Sequence, residues 1–347
     1  MAAVTIYDVA RKAGVSPATV SRVFNDSTLV SKTTRQRVLM IARELGYTPL
    51  KERADNGRKA VAVFVSSVLN PTLAQMIKGV QSVLRVHDLP MIVFDSDGGV
   101  SDEIKFLGQL SSYPVAGLVL SSPHISSEYL MAVRELGIPY VLAYGYSTEP
   151  DVPCVYINNL EASFQVMQEL FALGHEDIAV ITGPEGDLTI SRQRLQGVRL
   201  AYLAAQRQLD EARIIEGDYS VESGYQAAAS LVASGRPLPT AIYAFSDLMA
   251  IGALQALQEA GLRVPEDISV CGFDDIELAS LVSPRLATLA QPSFQVGQES
   301  AQILLEQMER GEVRQPKREL PYQFVRGQSV QDLGKRPRAA EGGMNRG

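Results

Sequence analysis

The fold begins at Thr5-Ile-Tyr-Asp-Val-Ala-Arg-Lys-Ala-Gly-Val-Ser-Pro-Ala-Thr-Val-Ser-Arg-Val-Phe-Asn25, a stretch that reads as two short helices around a tight corner. Its first half has an apolar face at helical spacing, formed by Ile6, Val9, Ala10 and Ala13. Gly14 tolerates the left-handed conformation and therefore ends the first helix. Ser16 is placed to cap the second helix, and Pro17 takes its first position, where no backbone N–H is needed.

The second helix has an apolar and a polar face. Its apolar stripe consists of Val20, Val23 and Phe24. Its polar face carries small groups and one long cation, at Ala18, Thr19, Ser21, Arg22 and Asn25. A polar helix held at an angle by a glycine corner is the helix-turn-helix pattern, which reads the major groove of DNA. The alternative is an ordinary helical hairpin whose polar face is only solvated.

A third helix follows and favours DNA binding. Ser31 can cap a helix from Lys32 to Leu45, and Gly46 with Tyr47-Thr48-Pro49 ends it. Its inner face is apolar at Val38, Ile41, Ala42 and Leu45, and its outer face carries Arg35, Arg37 and Arg43. Three such helices can enclose a small core, which predicts a helix-turn-helix domain over residues 1–49.

The charge of the chain is unevenly distributed. The 347 residues carry a net charge of −7 and are 46% hydrophobic, enough for two or three domains. Residues 1–59 hold 11 Lys and Arg against 5 Asp and Glu, whereas residues 60–333 hold 17 against 33 and residues 334–347 hold 4 against 1. A basic head on an acidic body suits a protein of which one end meets a polyanion.

The cellular compartment follows from what the sequence lacks. Cys154 and Cys271 have no paired spacing, which indicates a reducing environment. There is no signal-peptide core and no apolar run of membrane-spanning length. We therefore expect a cytoplasmic protein with no membrane partner.

Beyond a charged linker at residues 50–59, apolar runs alternate with amphipathic helices. The strand-like runs are Val61–Ser67, Pro90–Asp95, Gly117–Ser121, Tyr140–Tyr144, Ile178–Gly183, Ala241–Ser246 and Ile268–Phe273. The helical patterns are Leu73–Val86, Asp102–Leu110, Ser126–Leu136, Leu160–Leu173, Ser191–Gln208, Val221–Ala233, Leu248–Ala260 and Gln295–Gly311. This alternation predicts an α/β protein with parallel sheets covered on both faces.

The alternation passes twice along the chain, which predicts two doubly wound lobes. Such sheets bind ligands at the carboxyl ends of their strands, so the lobes should share a binding crevice. The predicted domains are the head at 1–49, a hinge linker at 50–59, an effector-binding and dimerisation domain at 60–333, and a disordered tail at 334–347. Lobe 1 is predicted at about 60–158 and 292–320, and lobe 2 at about 159–291 and 321–333.

Five motifs in the right order make the chain resemble the LacI/GalR family of bacterial transcription regulators. They are Tyr7-Asp-Val-Ala10, Ala13-Gly-Val-Ser16, Ala18-Thr-Val-Ser-Arg-Val23, Gly46-Tyr-Thr-Pro49 and Ile268-Ser-Val-Cys-Gly-Phe-Asp-Asp275. The resemblance covers residues 4–332 and implies lobes like a type 1 periplasmic binding protein. It also implies a homodimeric regulator, most often a repressor, that reads a pseudo-palindromic operator and is controlled by a sugar-like effector in the cleft.

The resemblance implies DNA contacts at matching positions. Phosphate-contacting positions fall on Thr5, Tyr7, Thr19, Ser21, Asn25, Ser31 and Thr34. Base-facing positions fall on Pro17, Ala18 and Arg22, and Ser16 belongs to the same DNA-binding set. Arg22 can donate two hydrogen bonds to guanine, although a plain phosphate contact is the alternative.

The linker departs from the family pattern. Relatives carry a longer hinge with a leucine that wedges into the minor groove, but Asp55-Asn-Gly57 stands here and only Leu50 is apolar. We therefore expect weaker DNA kinking than in relatives, with phosphate contacts from Arg53, Arg58 and Lys59 instead.

Ligand-binding positions are expected at strand ends facing the crevice, at Asp95, Ser121, Tyr144, Ser246 and Asp274. The resemblance implies three more, at Asn70, at Arg194 in an Arg-x-x-Gly pattern with Gly197, and at Tyr219. Carboxylate, guanidinium and aromatic groups together suit a polyol. Tyr144 replaces a common family carboxylate and Ser246 a common Asn, which leaves the identity of the ligand open. Two alternatives are that Asp274 or Asp275 caps the next helix and that Tyr219 only packs within its lobe.

The sequence offers no sign of catalysis. The three histidines are scattered, and no metal-ligand spacing, P-loop or Gly-x-Gly-x-x-Gly occurs, so neither a metal nor a cofactor is expected. No nucleophile elbow is present. The competing hypotheses are a two-lobe sugar-binding protein that does not switch and a carbohydrate enzyme using Asp274 and Asp275. The basic head argues against the first, and adjacent residues usually point apart, which argues against the second.

Overall fold

The computed structural model describes residues 6–24, 30–45, 60–96, 100–110, 113–122, 125–187, 189–311 and 313–335. Several expectations lie outside these residues: Thr5, Asn25, the helix end at 46–49, the hinge at 50–59 with Arg53, and all of the tail except residues 334 and 335. Within the described residues, no helix is both long and apolar enough to cross a membrane.

The head consists of three helices, α1 (Ile6–Ala13), α2 (Pro17–Phe24) and α3 (Lys32–Leu45). They bury one small core, made of Val9, Ala10, Ala13, Val20, Val23, Val38, Ile41 and Ala42. Gly14 ends α1 with φ of +65°, a left-handed conformation that favours glycine. The predicted glycine corner and apolar stripes are confirmed, except at Ile6, whose side chain lies outside the described ones.

Side-chain caps fix where the helices of the head begin. Ser16 Oγ accepts a hydrogen bond from the backbone N–H of Thr19 at 3.1 Å, and Ser31 Oγ accepts one from Thr34 at 3.2 Å. An exposed ion pair between Lys12 and Glu44, 2.7 Å long, joins α1 to α3. Both predicted caps are confirmed.

Lobe 1 is built on a six-stranded parallel sheet with strand order β11-β5-β4-β3-β1-β2. The strands are β1 (Ala60–Val65), β2 (Met91–Asp95), β3 (Val115–Ser121), β4 (Tyr140–Ala143), β5 (Cys154–Tyr156) and β11 (Lys317–Glu319). The helices are α4 (Pro71–Val86), α5 (Val100–Gln109), α6 (Ser127–Glu135) and α12 (Ser293–Arg310). β1 is buried along its whole length, as a central strand covered on both faces should be.

Lobe 2 has a four-stranded parallel sheet in the order β7-β6-β8-β9 and an antiparallel pair, β10 and β12. The strands are β6 (Ile178–Thr182), β7 (Ile214–Glu216), β8 (Ala241–Ala244), β9 (Ser269–Cys271), β10 (Thr288–Ala290) and β12 (Gln323–Val325). The helices are α7 (Asn159–Ala172), α8 (Ile190–Ala204), α9 (Val221–Ala233), α10 (Asp247–Glu259) and α11 (Glu277–Leu281). The prediction of two parallel α/β lobes is confirmed.

The chain passes between the lobes three times. It leaves β5 of lobe 1 for α7, returns from β10 to α12, and leaves β11 for β12. α12 packs on lobe 1, where Gln307 Nε2 donates to the carbonyl of Tyr140 at 2.8 Å. The predicted return of this helix to lobe 1 is confirmed.

Glycines allow neighbouring helices to approach closely. A Cβ atom at Gly79 of α4 would lie 2.0 Å from the carbonyl oxygen of Phe294, and one at Gly297 of α12 would lie 2.0 Å from that of Met76. Gly224 in α9 and Gly252 in α10 meet each other's helices in the same way, at 2.0 and 1.9 Å. These positions have no room for a side chain.

The elements that the sequence did not predict are short. β5, β7, β10 and β11 have 3 residues each, and α11 has 5. A period of two or 3.6 residues cannot be recognised over so few positions.

Candidate functional site

The polar face of α2 carries an exposed cation. Arg22 is exposed, whereas Pro17 and Thr19 are half-buried. The Thr19 and Ser16 hydroxyls lie 2.8 Å apart, and those of Ser31 and Thr34 are paired at the same distance. A hydroxyl that shares one hydrogen bond still has acceptor capacity for a further partner.

For Tyr7, Ala18 and Ser21 the structure describes the backbone but not the side chain. All three lie on α1 or α2, at the predicted places in the helices. Their predicted contacts with DNA remain predictions.

The prediction that Arg35 lies on the outer face of α3 is wrong. Arg35 is half-buried, and its Nη1 donates to the carbonyl oxygen of Val23 at 3.3 Å, so this side chain joins α3 to the last turn of α2. An arginine is long enough to bury its stem and still reach a carbonyl at a helix end. Arg37 and Arg43 are exposed as expected.

At the cleft, Arg194 is buried in lobe 2. Its Nε donates to Asn159 Oδ1 at 2.9 Å, and its Nη1 donates to the carbonyl oxygen of Phe245. Its Cζ lies 3.4 Å from the centroid of the Phe273 ring. The guanidinium is therefore held flat on an aromatic face by two hydrogen bonds, a rigid arrangement.

Asp274 stands at the end of lobe 2 that faces lobe 1. Its φ is +126°, and its backbone N–H donates to Leu289 at 2.8 Å. Its Oδ1 accepts a hydrogen bond from Gln291 Nε2 at 2.5 Å. Burial raises the pKa of Asp274 above its ordinary value, although Arg194, Thr72 and Gln291 act in the opposite direction.

Tyr144 of lobe 1 lies close to Asp274 and Arg194 of lobe 2. It follows β4 with φ of +63° and is buried. Burial raises the pKa of Tyr144, and Ser293, Asp274 and Arg194 are close enough to act on it as well. Residues from both lobes therefore meet here, and we call Thr72, Tyr144, Arg194, Asp274 and Gln291 the interlobe cluster.

The interlobe cluster contains polar atoms with unused hydrogen-bonding capacity. Thr72 Oγ1, the Tyr144 hydroxyl and Gln291 Oε1 are buried, and none has a well-formed hydrogen bond among the described residues. Such atoms normally have a partner, because a buried polar group left unsatisfied costs about 1–3 kcal/mol. A ligand with hydroxyl groups would supply those partners.

Tyr219 packs within lobe 2, and its role as a ligand contact remains a prediction. Its hydroxyl donates to Asp187 Oδ2 at 2.6 Å, and its ring contacts Gly183, where a Cβ would lie 2.2 Å from the ring. Both contacts lie within lobe 2, in agreement with the packing alternative. Its side chain is half-buried, so one part of it remains accessible.

Three of the other expected ligand residues, Asn70, Asp95 and Ser246, accept local hydrogen bonds from backbone N–H groups. Asn70 Oδ1 caps α4 through the N–H of Thr72 at 2.9 Å, and Ser246 Oγ caps α10 through that of Met249 at 3.2 Å. Asp95 is exposed and accepts from the N–H of Val68 at 3.2 Å. Ser121 is buried at the end of β3. Their roles as ligand contacts remain predictions.

The alternative in which Asp274 or Asp275 caps α11 is wrong. Ile276 stands at the start of this helix, with no side-chain cap. Its N–H donates to Asp247 Oδ2 at 2.9 Å, and Asp247 Oδ1 accepts from Thr288 Oγ1 at 2.6 Å. A carboxylate from α10 therefore secures the turn that carries Asp274.

Sequence reasoning missed the roles of Thr72, Asn159, Asp187 and Gln291. Asp187 accepts hydrogen bonds from the N–H groups of Thr189, Ile190 and Ser191 and so caps α8. An acidic residue just before a helix was the only available signal for such a role. Among the described residues, no group of acidic, His and Cys side chains could hold a metal ion.

Comparisons with known proteins agree with this architecture. Residues 5–50 match the family described as "Bacterial regulatory proteins, lacI family", and residues 167–330 match the "Periplasmic binding protein-like domain". The chain is 34% identical over 310 residues to the HTH-type transcriptional repressor CytR of Escherichia coli strain K12, covering 88% of this chain and 90% of that protein. The chain belongs to the LacI family.

Other LacI family members are similar over nearly the whole chain. Catabolite control protein A of Priestia megaterium is 30% identical, covering 94% of this chain and 99% of that protein. A transcriptional regulator CelR–cellobiose complex superposes with a TM-score of 0.72 at 32% identity, covering 94% of this chain and 100% of the other. The lac repressor dimer bound to operator and an anti-inducer gives 0.72 at 30% identity, with 95% and 100% coverage.

As a LacI family member, the chain is a DNA-binding transcription regulator and not an enzyme. This conclusion confirms the resemblance on which the sequence interpretation rests. The lacI-family match falls on the head, and the periplasmic-binding-protein-like match covers residues 167–330 of the lobes.

Proposed function

We propose that this regulator is a homodimeric, cytoplasmic repressor of a pseudo-palindromic operator, and that a small sugar-like effector in the interlobe cleft sets its operator affinity. This proposal rests on the interlobe cluster. Two lobes bring buried hydroxyl, amide, carboxylate and guanidinium groups together, and three polar atoms among them lack a well-formed hydrogen bond.

The effector would act by linkage between the lobes. A ligand that bonds Thr72 and Tyr144 on one side and Asp274 on the other binds only the closed arrangement well. Closure would then shift lobe 1, and with it the two heads. A coupling free energy of about 1–3 kcal/mol changes operator affinity by roughly 5- to 150-fold, which is sufficient for a switch.

The head supplies DNA contacts of two kinds. Arg22 is the exposed cation on α2, and a guanidinium there suits the two acceptors of guanine in the major groove. The hydroxyls of Thr19, Ser31 and Thr34 suit phosphate contacts that fix the register of the head.

A second copy would cover apolar side chains that both lobes expose. In lobe 1, Val68 and Leu69 are 42% and 87% exposed beside the β2 edge, and in lobe 2 Leu278 and Leu281 are 45% and 70% exposed. The related lac repressor is a dimer in its operator complex. Two heads on one dimer match two half-sites about one helical turn apart.

A thermal-shift screen over sugars and nucleosides tests the proposal. We expect at least one compound to raise the Tm of the wild type and to change operator affinity in a gel-shift titration. Asp274→Ala should abolish both responses, because the ligand loses its principal acceptor, while operator binding without effector persists. A normal response in Asp274→Ala would exclude Asp274 as a ligand.

A further inference from the structure

A groove on the flank of lobe 1 and the outer face of α3 match each other in polarity and charge. We propose that, away from DNA, the head of a chain docks through α3 into this groove of its own lobe 1, and that the contact competes with operator binding. The proposal requires a DNA-binding head but no effector, so it is independent of what the interlobe cleft binds.

The groove lies between the C-terminal half of α4 and α12 and encloses about 450 Å³. Its apolar side chains are Val83, Val86 and Leu305, of which Val86 is 83% exposed. Glu306 and Glu309 of α12 line it as well, and none of the described residues that line it is Lys or Arg. An apolar groove flanked by carboxylates suits a basic amphipathic helix. We call it the flank groove.

Glu309 is the carboxylate of the flank groove that is open to a partner. Glu306 is half-buried and already pairs with Arg318 at 2.9 Å. Glu309 is exposed and forms no ion pair with a described residue. A cation on a docking helix would therefore meet Glu309 first.

The outer face of α3 has the complementary composition. Leu39 and Met40 are 36% and 64% exposed and lie outside the core of the head. Arg37 and Arg43 are exposed and stand three residues before and after Met40, which places them on the same face of the helix. This face therefore offers apolar contacts to Val86 and a cation to Glu309.

The chain enters lobe 1 beside the flank groove. The Val61 N–H, at the start of β1, donates to the carbonyl oxygen of Pro90 at 2.9 Å, and Pro90 is four residues beyond Val86. Val86 therefore lies within about 20 Å of Val61, because four residues span at most about 14 Å. The 14 residues at 46–59 span at most about 50 Å, so the head can reach the groove. Such a tether gives the head an effective concentration of about millimolar, at which weak contacts form.

Docking in an acidic groove opposes DNA binding. Ser31 and Thr34, at the start of α3, are the positions that we propose contact phosphates. Met40 lies six residues beyond Thr34, or about 9 Å along the helix, a distance close to the Debye length at physiological salt. The carboxylates of the flank groove would therefore repel the phosphates of a bound operator. A docked head must leave the groove before it binds DNA well.

Cysteine pairs in the full chain test the docking. The groove pair combines Met40→Cys with Val86→Cys. The control pair combines Met40→Cys with Met131→Cys, because Met131 is 57% exposed on α6, which covers the opposite face of the lobe 1 sheet. The native Cys154 and Cys271 are buried. Disulfide formation in mild oxidant is followed with and without operator, and gel mobility without reductant separates bonds within a chain from bonds between chains.

We expect the groove pair to oxidise about tenfold faster than the control pair, within one chain, and operator to remove this difference. Equal rates without operator would overturn the docking. A disulfide formed between chains would overturn the assignment to the chain's own head. A difference that persists with operator bound would overturn the competition.

A charge substitution tests the contact independently of cysteines. Glu309→Gln should tighten operator binding about two- to fivefold relative to Glu135→Gln, as expected when one surface ion pair holding the head is lost. Glu135 is the matched control, since it is an exposed glutamate at the end of α6. Glu309→Gln should also slow oxidation of the groove pair by a similar factor, which simple repulsion of DNA by Glu309 would not do. Equal operator affinities in the two variants, or an unchanged oxidation rate, would contradict the proposal.

Discussion

At the scale of single residues, the DNA-facing surface and the interlobe cluster differ in whether their arginines are already hydrogen-bonded within the chain. Arg22 is exposed, and its proposed partner is DNA. Arg194 is buried and bonded to Asn159 and Phe245, so it shapes the cleft as much as it serves a ligand. Mutation of Arg22 should therefore change binding alone, whereas mutation of Arg194 should also destabilise the fold.

The first prediction concerns base reading. Arg22→Ala should remove most of the discrimination between operator and random DNA, by about 5- to 150-fold for each half-site, because a bidentate contact to guanine contributes about 1–3 kcal/mol. Fluorescence anisotropy with both DNAs measures the ratio. Arg43→Ala is the matched control, since Arg43 is exposed on α3 and should affect both DNAs equally. An unchanged ratio in Arg22→Ala would remove Arg22 from base reading.

A second prediction concerns pH. Burial and Asp274 raise the pKa of Asp247, so the folded protein retains a proton where the unfolded chain has released it, and stability falls as pH rises toward the folded pKa. Asparagine carries no charge and avoids this loss. The Tm of Asp247→Asn minus that of the wild type should therefore increase from pH 6 to pH 8.

The control for this pH series is Glu259→Gln. Tyr225 and Gln255 donate hydrogen bonds that lower the pKa of Glu259, so it stays ionised throughout this range. Its Tm difference should be constant with pH. A constant difference for Asp247→Asn as well would contradict the proton uptake on folding.

At the scale of elements, glycines determine how closely two pairs of helices pack. Gly79 and Gly297 bring α4 and α12 together, and Gly224 and Gly252 do the same for α9 and α10. The first pair packs the returning helix onto lobe 1 beside Thr72. The position of the interlobe cluster therefore depends on backbone contacts as well as on side chains.

The third prediction tests this packing. Gly79→Ala should destabilise the protein by about 1–3 kcal/mol, because its Cβ would meet the Phe294 carbonyl oxygen at 2.0 Å. Gly108→Ala in α5 is the control: among the described residues, no atom outside its own helix lies within 4 Å of the added Cβ, and alanine favours a helix by roughly 0.5–1 kcal/mol. Chemical denaturation measures both. Equal stability changes in the two variants would contradict this prediction, because α4 and α12 would then separate without cost to admit the added Cβ.

The sequence predicts long elements and misses short ones for a physical reason. β1 and α4 are long enough to show a buried run or an amphipathic period, whereas β5 and β10 have 3 residues each. Within the site, the resemblance located both Arg194 and Asp274, the latter inside the motif Ile268–Asp275. Gln291 lies on a crossover without a motif, and it meets Asp274 only because the chain returns between lobes.

At the scale of the whole molecule, the head and the lobes have opposite charge and separate tasks. The basic head is attracted to polyanionic DNA, whereas the acidic body is repelled by it. Under the proposed mechanism, operator affinity depends on the spacing of the two heads of a dimer, which the lobes control. The linker that transmits this spacing lies outside the described residues, so its behaviour remains a prediction from sequence.

The fourth prediction concerns the operator. Asp55-Asn-Gly57 offers no apolar wedge, so the regulator should kink its operator less than relatives that insert a leucine. Circularly permuted operator fragments in a gel measure the bend. A strong central kink would contradict this prediction and assign the wedge to Leu50.

The three crossings between the lobes have a consequence for how such proteins diversify. Lobe 1 is assembled from segments on both sides of lobe 2, because α12 and β11 return to its sheet after β10. A single recombination event cannot exchange one lobe between two genes without breaking the other. The head is one uninterrupted segment, so one junction upstream of Ala60 suffices to replace it. One junction therefore joins a given head to a different pair of lobes, whereas exchanging a single lobe needs more than one junction.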